Sequence, residues 1–201
     1  MSGPVDVAVL VSGTGTNLRA LLAADNPWGR VGLVISSRPG AGALDVAAAA
    51  GVETLVVSPR EPDFAVRLLD ALRAHGIGLV VLAGYLTILP HEVVEAYDHR
   101  IVNVHPALLP SFGGQGFYGL RVHEAALARG VKVTGATVHY VDDEPDGGEI
   151  IAQKAVDVLP GDTPETLQRR VMQQAEWVLL PQVVSDLCRA MTGAEPGKES
   201  R

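Results

Sequence analysis

The chain has 201 residues, 47% of them hydrophobic and only 4% aromatic, and a formal net charge of −7. That length and composition suit one globular domain with a core of Val, Leu, Ile and Ala, and they exclude a disordered chain. The acidic balance and the lack of a Lys/Arg stripe argue against nucleic acid as a partner, and the single cysteine, Cys188, excludes a disulfide or a thiolate metal cluster.

The predicted elements begin with "PVDVAVLVS" (4–12), a β-branched apolar run that ends at Ser-Gly. "NLRALLAA" (17–24) has helical spacing, with Leu18, Leu21 and Leu22 on one side. "RVGLVIS" (30–36) reads as a strand, "GAGALDVAAAAG" (40–51) as a small-residue helix, and "VETLVVS" (52–58) as a third strand. "DFAVRLLDALRAHG" (63–76) is a helix closed by Gly76, and "GLVVLAG" (78–84) a strand so apolar that both its faces must be covered. No element is assigned between that strand and Ile101, nor to the glycine-rich stretch at about 111–120. "IVNVH" (101–105) is a further strand, stopped by Pro106. "KVTGATVHYV" (132–141) and "GEIIAQKAVDV" (148–158) are long strands joined by "DDEPDG", a turn by its Pro and Gly, and they read as antiparallel. A last helix runs from about Thr163 to Met191, started by Asp162-Thr163-Pro164-Glu165.

Alternating strands and helices predict a parallel sheet with right-handed crossovers. The expected fold is α/β: a Rossmann-like three-layer arrangement with a mostly parallel central sheet, extended by antiparallel strands in the C-terminal half. One domain, 1–192, is expected, with a disordered polar tail at 193–201. No histidine pair has metal spacing, no basic-then-apolar leader opens the chain, and no stretch is long enough to span a bilayer. A reducing cytoplasm is the expected compartment, with no membrane partner.

Two stretches carry chemistry. In "VLVSGTGTNLRALL" a glycine-rich turn links the first strand to the first helix, so backbone N–H groups and the helix N-terminus can hold an anion. The dinucleotide fingerprint is incomplete, because Leu18 stands at its third glycine. The triphosphate loop is absent, because no Gly-Lys-Ser/Thr follows. A phosphate monoester held by Gly15, Thr16 and Asn17 fits better. Arg38 keeps an NADP reading open, and a plain turn capped by Asn17 is the structural alternative. The second stretch is "IVNVHPALLPSFGGQ". Asn103 and His105 alternate onto one face at the C-terminal end of a strand, where open α/β sheets bind ligands. An amide and an imidazole aimed at one point can hold a carbonyl oxygen and stabilise the charge it gains under attack. The turn "DDEPDGG" supplies four acids able to orient the imidazole, Asp142, Asp143, Glu144 and Asp146, and spacing alone leaves the choice open.

Together these pieces resemble the glycinamide ribonucleotide formyltransferases, folate-dependent enzymes of purine synthesis. The resemblance rests on "VLVSGTGTNL", "VVLAGYLTIL", "IVNVHPALLPSF", "GVKVTGATVHYVDDEPDGGEII" and "GDTPETLQRRV…AEWVLLP", in family order over nearly the whole chain. It implies a catalytic trio of Asn103, His105 and Asp146: Asn103 for the formyl oxygen, His105 as the acid, Asp146 to raise the histidine's pKa and relay protons. It also implies a phosphate site at Gly15, Thr16 and Asn17, and Glu176 on the ribose hydroxyls. Leu86, Thr87, Ile88 and Leu89, with Asp142, Asp143, Glu144, Pro145 and Asp146, would wall the folate, which Asn103 also touches. The donor would be 10-formyltetrahydrofolate, with no metal; both partners would be small molecules, and the protein a monomer or homodimer. Residues 1–100 would hold the ribonucleotide phosphate and 101–192 the folate and the chemistry. Three departures stand out: Thr87 where arginine is frequent, a long loop "FGGQGFYGLRVHE" that leaves His123 without an assigned role, and one extra residue before Glu176, which unsettles any phosphate contact from Gln173. The same trio serves methionyl-tRNA formyltransferases and formyltetrahydrofolate deformylases; the chain's length and acidity argue against the first, and its start at the first strand against the second. A non-catalytic phosphate sensor would leave the trio without purpose.

Overall fold

A computed structural model describes residues 3–194; the expected tail lies, from residue 195 onward, outside the described residues. Seven strands form one sheet in the order β3-β2-β1-β4-β5-β6-β7. They are β1 (Val5–Val11), β2 (Gly29–Ser36), β3 (Glu53–Val56), β4 (Leu79–Leu82), β5 (Ile101–His105), β6 (Val133–Tyr140) and β7 (Ile150–Asp157). The first five are parallel, and β6 and β7 pair antiparallel. This is the expected α/β architecture. The strand order reverses between β1 and β4, which opens a crevice at their carboxyl ends.

The helices are α1 (Thr16–Ala23), α2 (Gly42–Ala49), α3 (Phe64–Ala74), α4 (His91–Ala96), α5 (Leu120–Arg129), α6 (Pro164–Val171) and α7 (Trp177–Met191). Side chains alternate along β1: Val7, Val9 and Val11 enter one core with Leu18, Val46 and Leu180, while Ala8 and Leu10 enter a second with Leu68, Leu72 and Val93. Both faces of the sheet are therefore covered, and β1 reads as an unbroken apolar run.

Two helices lie where none was expected. α4 has six residues, too few to show a period. α5 buries Val122, His123 and Ala126, and the histidine on its inner face hides the apolar stripe. The last helix begins as read: Thr163 and Thr166 form a capping box, with Pro164 in the first turn. It is not uniform, however, because a π turn (Met172–Glu176) separates α6 from α7. Leu167, Val171, Ala175, Leu179 and Val183 all enter one core at four-residue steps. A regular α-helix would drift by about 40° at each such step. The wider turn takes up that drift, and it falls where the resemblance places one extra residue.

Candidate active site

β1 ends in the turn Ser12–Asn17. Gly15 has φ 81°, and a Cβ there would stand 2.8 Å from the Ala43 Cα. It caps α1 with no side-chain hydrogen bond, so the helix keeps its first N–H groups for a guest. Asn17 does not cap the helix: its Nδ2 donates to Glu176 Oε2 at 2.8 Å. Burial pushes the Glu176 carboxyl above its ordinary range, and the Asn17 amide opposes that. Arg38 donates from Nε to the Ser12 carbonyl at 2.8 Å and lines neither cleft described below.

On β5, Val102 and Val104 face a core, and Asn103 and His105 face the other way, as their alternation required. β6 pairs alongside with Asn103 opposite His139 and His105 opposite Thr137. His139 donates from Nδ1 to the Tyr140 carbonyl at 2.7 Å, which leaves Nε2 as an acceptor in the neutral ring. Asn103 Nδ2 donates to that Nε2 at 3.1 Å and to Asp146 Oδ1 at 3.3 Å. The amide is thereby oriented and its Oδ1 left free.

His105 is 3% exposed. Its Nε2 donates to the Phe112 carbonyl at 2.7 Å, and its Nδ1 stands 3.3 Å from Asp146 Oδ2. Two acceptors against one ring favour the imidazolium. Burial is the larger influence, however, and holds the His105 pKa below its ordinary value, against the pull of Asp146 and the Phe112 carbonyl. Asp146 thus pulls the histidine upward, but the net displacement is downward. Burial also acts on Asp146, upward, but the His105 charge and the Gly114 N–H help bring that carboxyl below its ordinary value. Gly114 donates to Asp146 Oδ2 at 2.9 Å. Of the four acids in the turn, Asp146 is the one that reaches His105; Asp143 pairs with His91 at the surface.

Two clefts meet here. The first, about 410 Å³, is lined by Gly13 to Asn17, Asn103, His105, His123, Asp146, Gln168, Met172 and Glu176. The second, about 290 Å³, is lined by Leu86 to Leu89, Gly114 to Tyr118, His139 and Asp142 to Asp146. Asn103, Asp146, Tyr85, Leu86, Phe117 and Tyr118 belong to both. Leu86 and Ile88 are 65% and 68% exposed, while Tyr85 and Leu89 are 8% and 7% exposed. Alternate residues of "YLTIL" therefore serve the core and the groove. Gln173 is exposed and outside the first cleft, where Gln168 and Met172 stand instead.

Residues 5–184 match the formyl transferase family model. The chain belongs to the formyl transferase family. It is 35% identical to the phosphoribosylglycinamide formyltransferase of Bacillus subtilis, over 90% of this chain and 93% of that protein. It is 42% identical to a chloroplastic protein of the same name from Arabidopsis thaliana, over 90% of this chain; it spans only 65% of that plant relative's length. Among solved structures, the phosphoribosylglycinamide formyltransferase of Anaplasma phagocytophilum superposes with a TM-score of 0.86 at 40% identity, over 93% of this chain and 88% of that one. A formyltetrahydrofolate deformylase of Pseudomonas syringae superposes with a TM-score of 0.83 at 26% identity, over 94% of this chain and 63% of that one. Proteins named as transferases and as a deformylase therefore share the formyl transferase fold.

Sequence reading missed His139, the Phe112 carbonyl and the Gly114 N–H. The two backbone groups carry no signal in residue type. His139 was visible as a histidine in an apolar strand, but only the β5–β6 register sets it opposite Asn103. Among the described residues, no helix is long and apolar enough to cross a membrane.

Proposed function

We propose that this chain transfers the formyl group of 10-formyltetrahydrofolate to the primary amine of glycinamide ribonucleotide, giving formylglycinamide ribonucleotide and tetrahydrofolate in de novo purine biosynthesis. One observation carries the reading: two clefts of different chemistry meet at Asn103 and Asp146. The first suits a sugar phosphate. Backbone N–H groups of Gly15, Thr16 and Asn17 receive the phosphate, and the Glu176 carboxyl, tied to Asn17, receives ribose hydroxyls. The second suits a flat heteroaromatic ring. Leu86 and Ile88 cover its faces, Thr87 and Leu89 continue the wall, and the turn of Asp142, Asp143, Glu144, Pro145 and Asp146 offers acceptors to its N–H edge.

The folate supplies an activated formyl carbon. The Asn103 Nδ2–H and the His105 Nδ1–H that face Asp146 at 3.3 Å are the donors that the formyl oxygen takes over as negative charge develops on it. Asp146 favours the charged imidazole, takes up the proton that the attacking amine gives away, and returns it to N10 of the folate as the carbon–nitrogen bond breaks and tetrahydrofolate leaves. Adjoining clefts make the encounter effectively unimolecular. The loop at 111–120, whose Phe117 and Tyr118 line both clefts, keeps water from the formyl group. In this reading residues 1–192 act as one cytoplasmic formyltransferase domain. The first half holds the phosphate and the second supplies the trio. The protein works on two small molecules as a monomer or homodimer, without metal, nucleic acid or membrane.

The test is formyl transfer from 10-formyl-5,8-dideazafolate, followed by absorbance, with and without glycinamide ribonucleotide. Turnover that requires the ribonucleotide supports the assignment. Formate release without it would reassign the chain as a deformylase. No turnover from folded protein would leave a binding protein only.

A further inference from the structure

Of the six histidines, five have a hydrogen-bond partner at a ring nitrogen: His75 with Ala71, His91 with Asp143, His99 with Asp98, His105 with Phe112 and His139 with Tyr140. His123 is the exception. Its side chain is 0% exposed, and neither Nδ1 nor Nε2 meets a protein partner. A buried imidazole gives up hydration and here recovers nothing from the protein, so leucine or phenylalanine would fill the same space at less cost. Yet the ring lines the first cleft together with His105 and Glu176.

We infer that His123 is a further acceptor-binding residue, hydrogen-bonding the uncharged amino-amide arm that carries the reacting amine. The inference rests on the proposed function and names the part of the acceptor this side chain reads. A neutral imidazole has one N–H and one lone pair, which match the C=O and N–H of an amide or amine arm. It is the wrong chemistry for phosphate, which the turn at Gly15 already serves with donors alone. Burial, and next the His105 charge, hold the ring neutral down to a pKa of about 4. With its N–H and lone pair both spent on the arm, the ring binds and orients it, and proton uptake stays with Asp146, which stands against His105 and Asn103. Phe117, Tyr118 and Gly119 line the same cleft just ahead of α5, so the ring meets the acceptor inside a covered space.

The experiment compares wild type with His123→Phe, which removes both polar atoms, and His123→Asn, which keeps one donor and one acceptor. Calorimetry measures binding of ribose 5-phosphate and of glycinamide ribonucleotide to each, and kinetics give KM for the acceptor and for 10-formyl-5,8-dideazafolate. His123→Phe is expected to weaken glycinamide ribonucleotide by about tenfold, the scale of one or two neutral hydrogen bonds. Ribose 5-phosphate affinity and donor KM should stay unchanged, and His123→Asn should recover part of the loss. Equal weakening of both ligands, or weakening of neither, overturns the inference, as does a His123→Asn protein that binds glycinamide ribonucleotide no better than His123→Phe. Wild type that binds glycinamide ribonucleotide without transferring formyl to it sinks the proposed reaction, while the binding comparison still decides His123. Wild type that does not bind it at all refutes both.

Discussion

Asp146 has φ 57°, in the left-handed region where most side chains are strained and Asp and Asn least so. That backbone turn aims one carboxylate oxygen at His105 Nδ1 and the Gly114 N–H and the other at Asn103. Asp146→Asn should therefore fold normally, since asparagine tolerates the same φ, while turnover falls by ~10²–10⁴. It also removes one of the influences that raise His105. The histidine pKa, already below its ordinary value, drops further, so the alkaline limb of the pH–kcat profile should move to lower pH. A limb that stays in place would contradict His105 as the acid. His123 makes a second residue-scale prediction. Its folded-state pKa of about 4 lies below the ordinary 6.5, so between those values the unfolded chain binds a proton that the folded chain refuses. Stability is lost as pH falls through that window, by at most about 3 kcal/mol. Urea unfolding at pH 7 and pH 4.5 should show the loss, and His123→Phe should shrink it.

At the scale of elements, the β1–α1 turn depends on Gly15. An alanine there would take a left-handed φ and press its Cβ on the α2 backbone at Ala43. Gly15→Ala should cost about 1–3 kcal/mol and raise the acceptor KM while sparing the donor KM, measured by melting and by kinetics. The π turn shows how far reading by element reaches. The start of the last helix was legible, because Thr163, Pro164 and Glu165 carry their reasons in residue type. Its wide turn was not, because a change of helical pitch depends on which core Leu167 through Val183 must fill. α5 stayed hidden for a related reason: a buried histidine breaks an apolar period whether or not it belongs to a site.

For the whole molecule, residue 17 meets residue 176 across almost the full length of the chain. Asn17→Ala would leave the buried Glu176 carboxyl without its donor. It should lower stability by about 1–3 kcal/mol and weaken glycinamide ribonucleotide binding while leaving donor KM unchanged. Differential scanning calorimetry with and without the ribonucleotide would separate the two effects. The amino-acid order alone was enough for the parallel sheet, the glycine-rich turn after β1 and the shared face of Asn103 and His105, because each follows from local periodicity or backbone chemistry within a few residues. Spacing left Asp146 among four neighbouring acids until the family resemblance named it, and the order alone was not enough to pair Asn103 with His139, to put Gln168 rather than Gln173 in the cleft, or to seal His123 beside His105. Those relations depend on strand register, on the reversal of strand order between β1 and β4, and on helical pitch. They exist only once distant segments pack, since the distances that govern proton sharing and desolvation are set between elements and not along the chain.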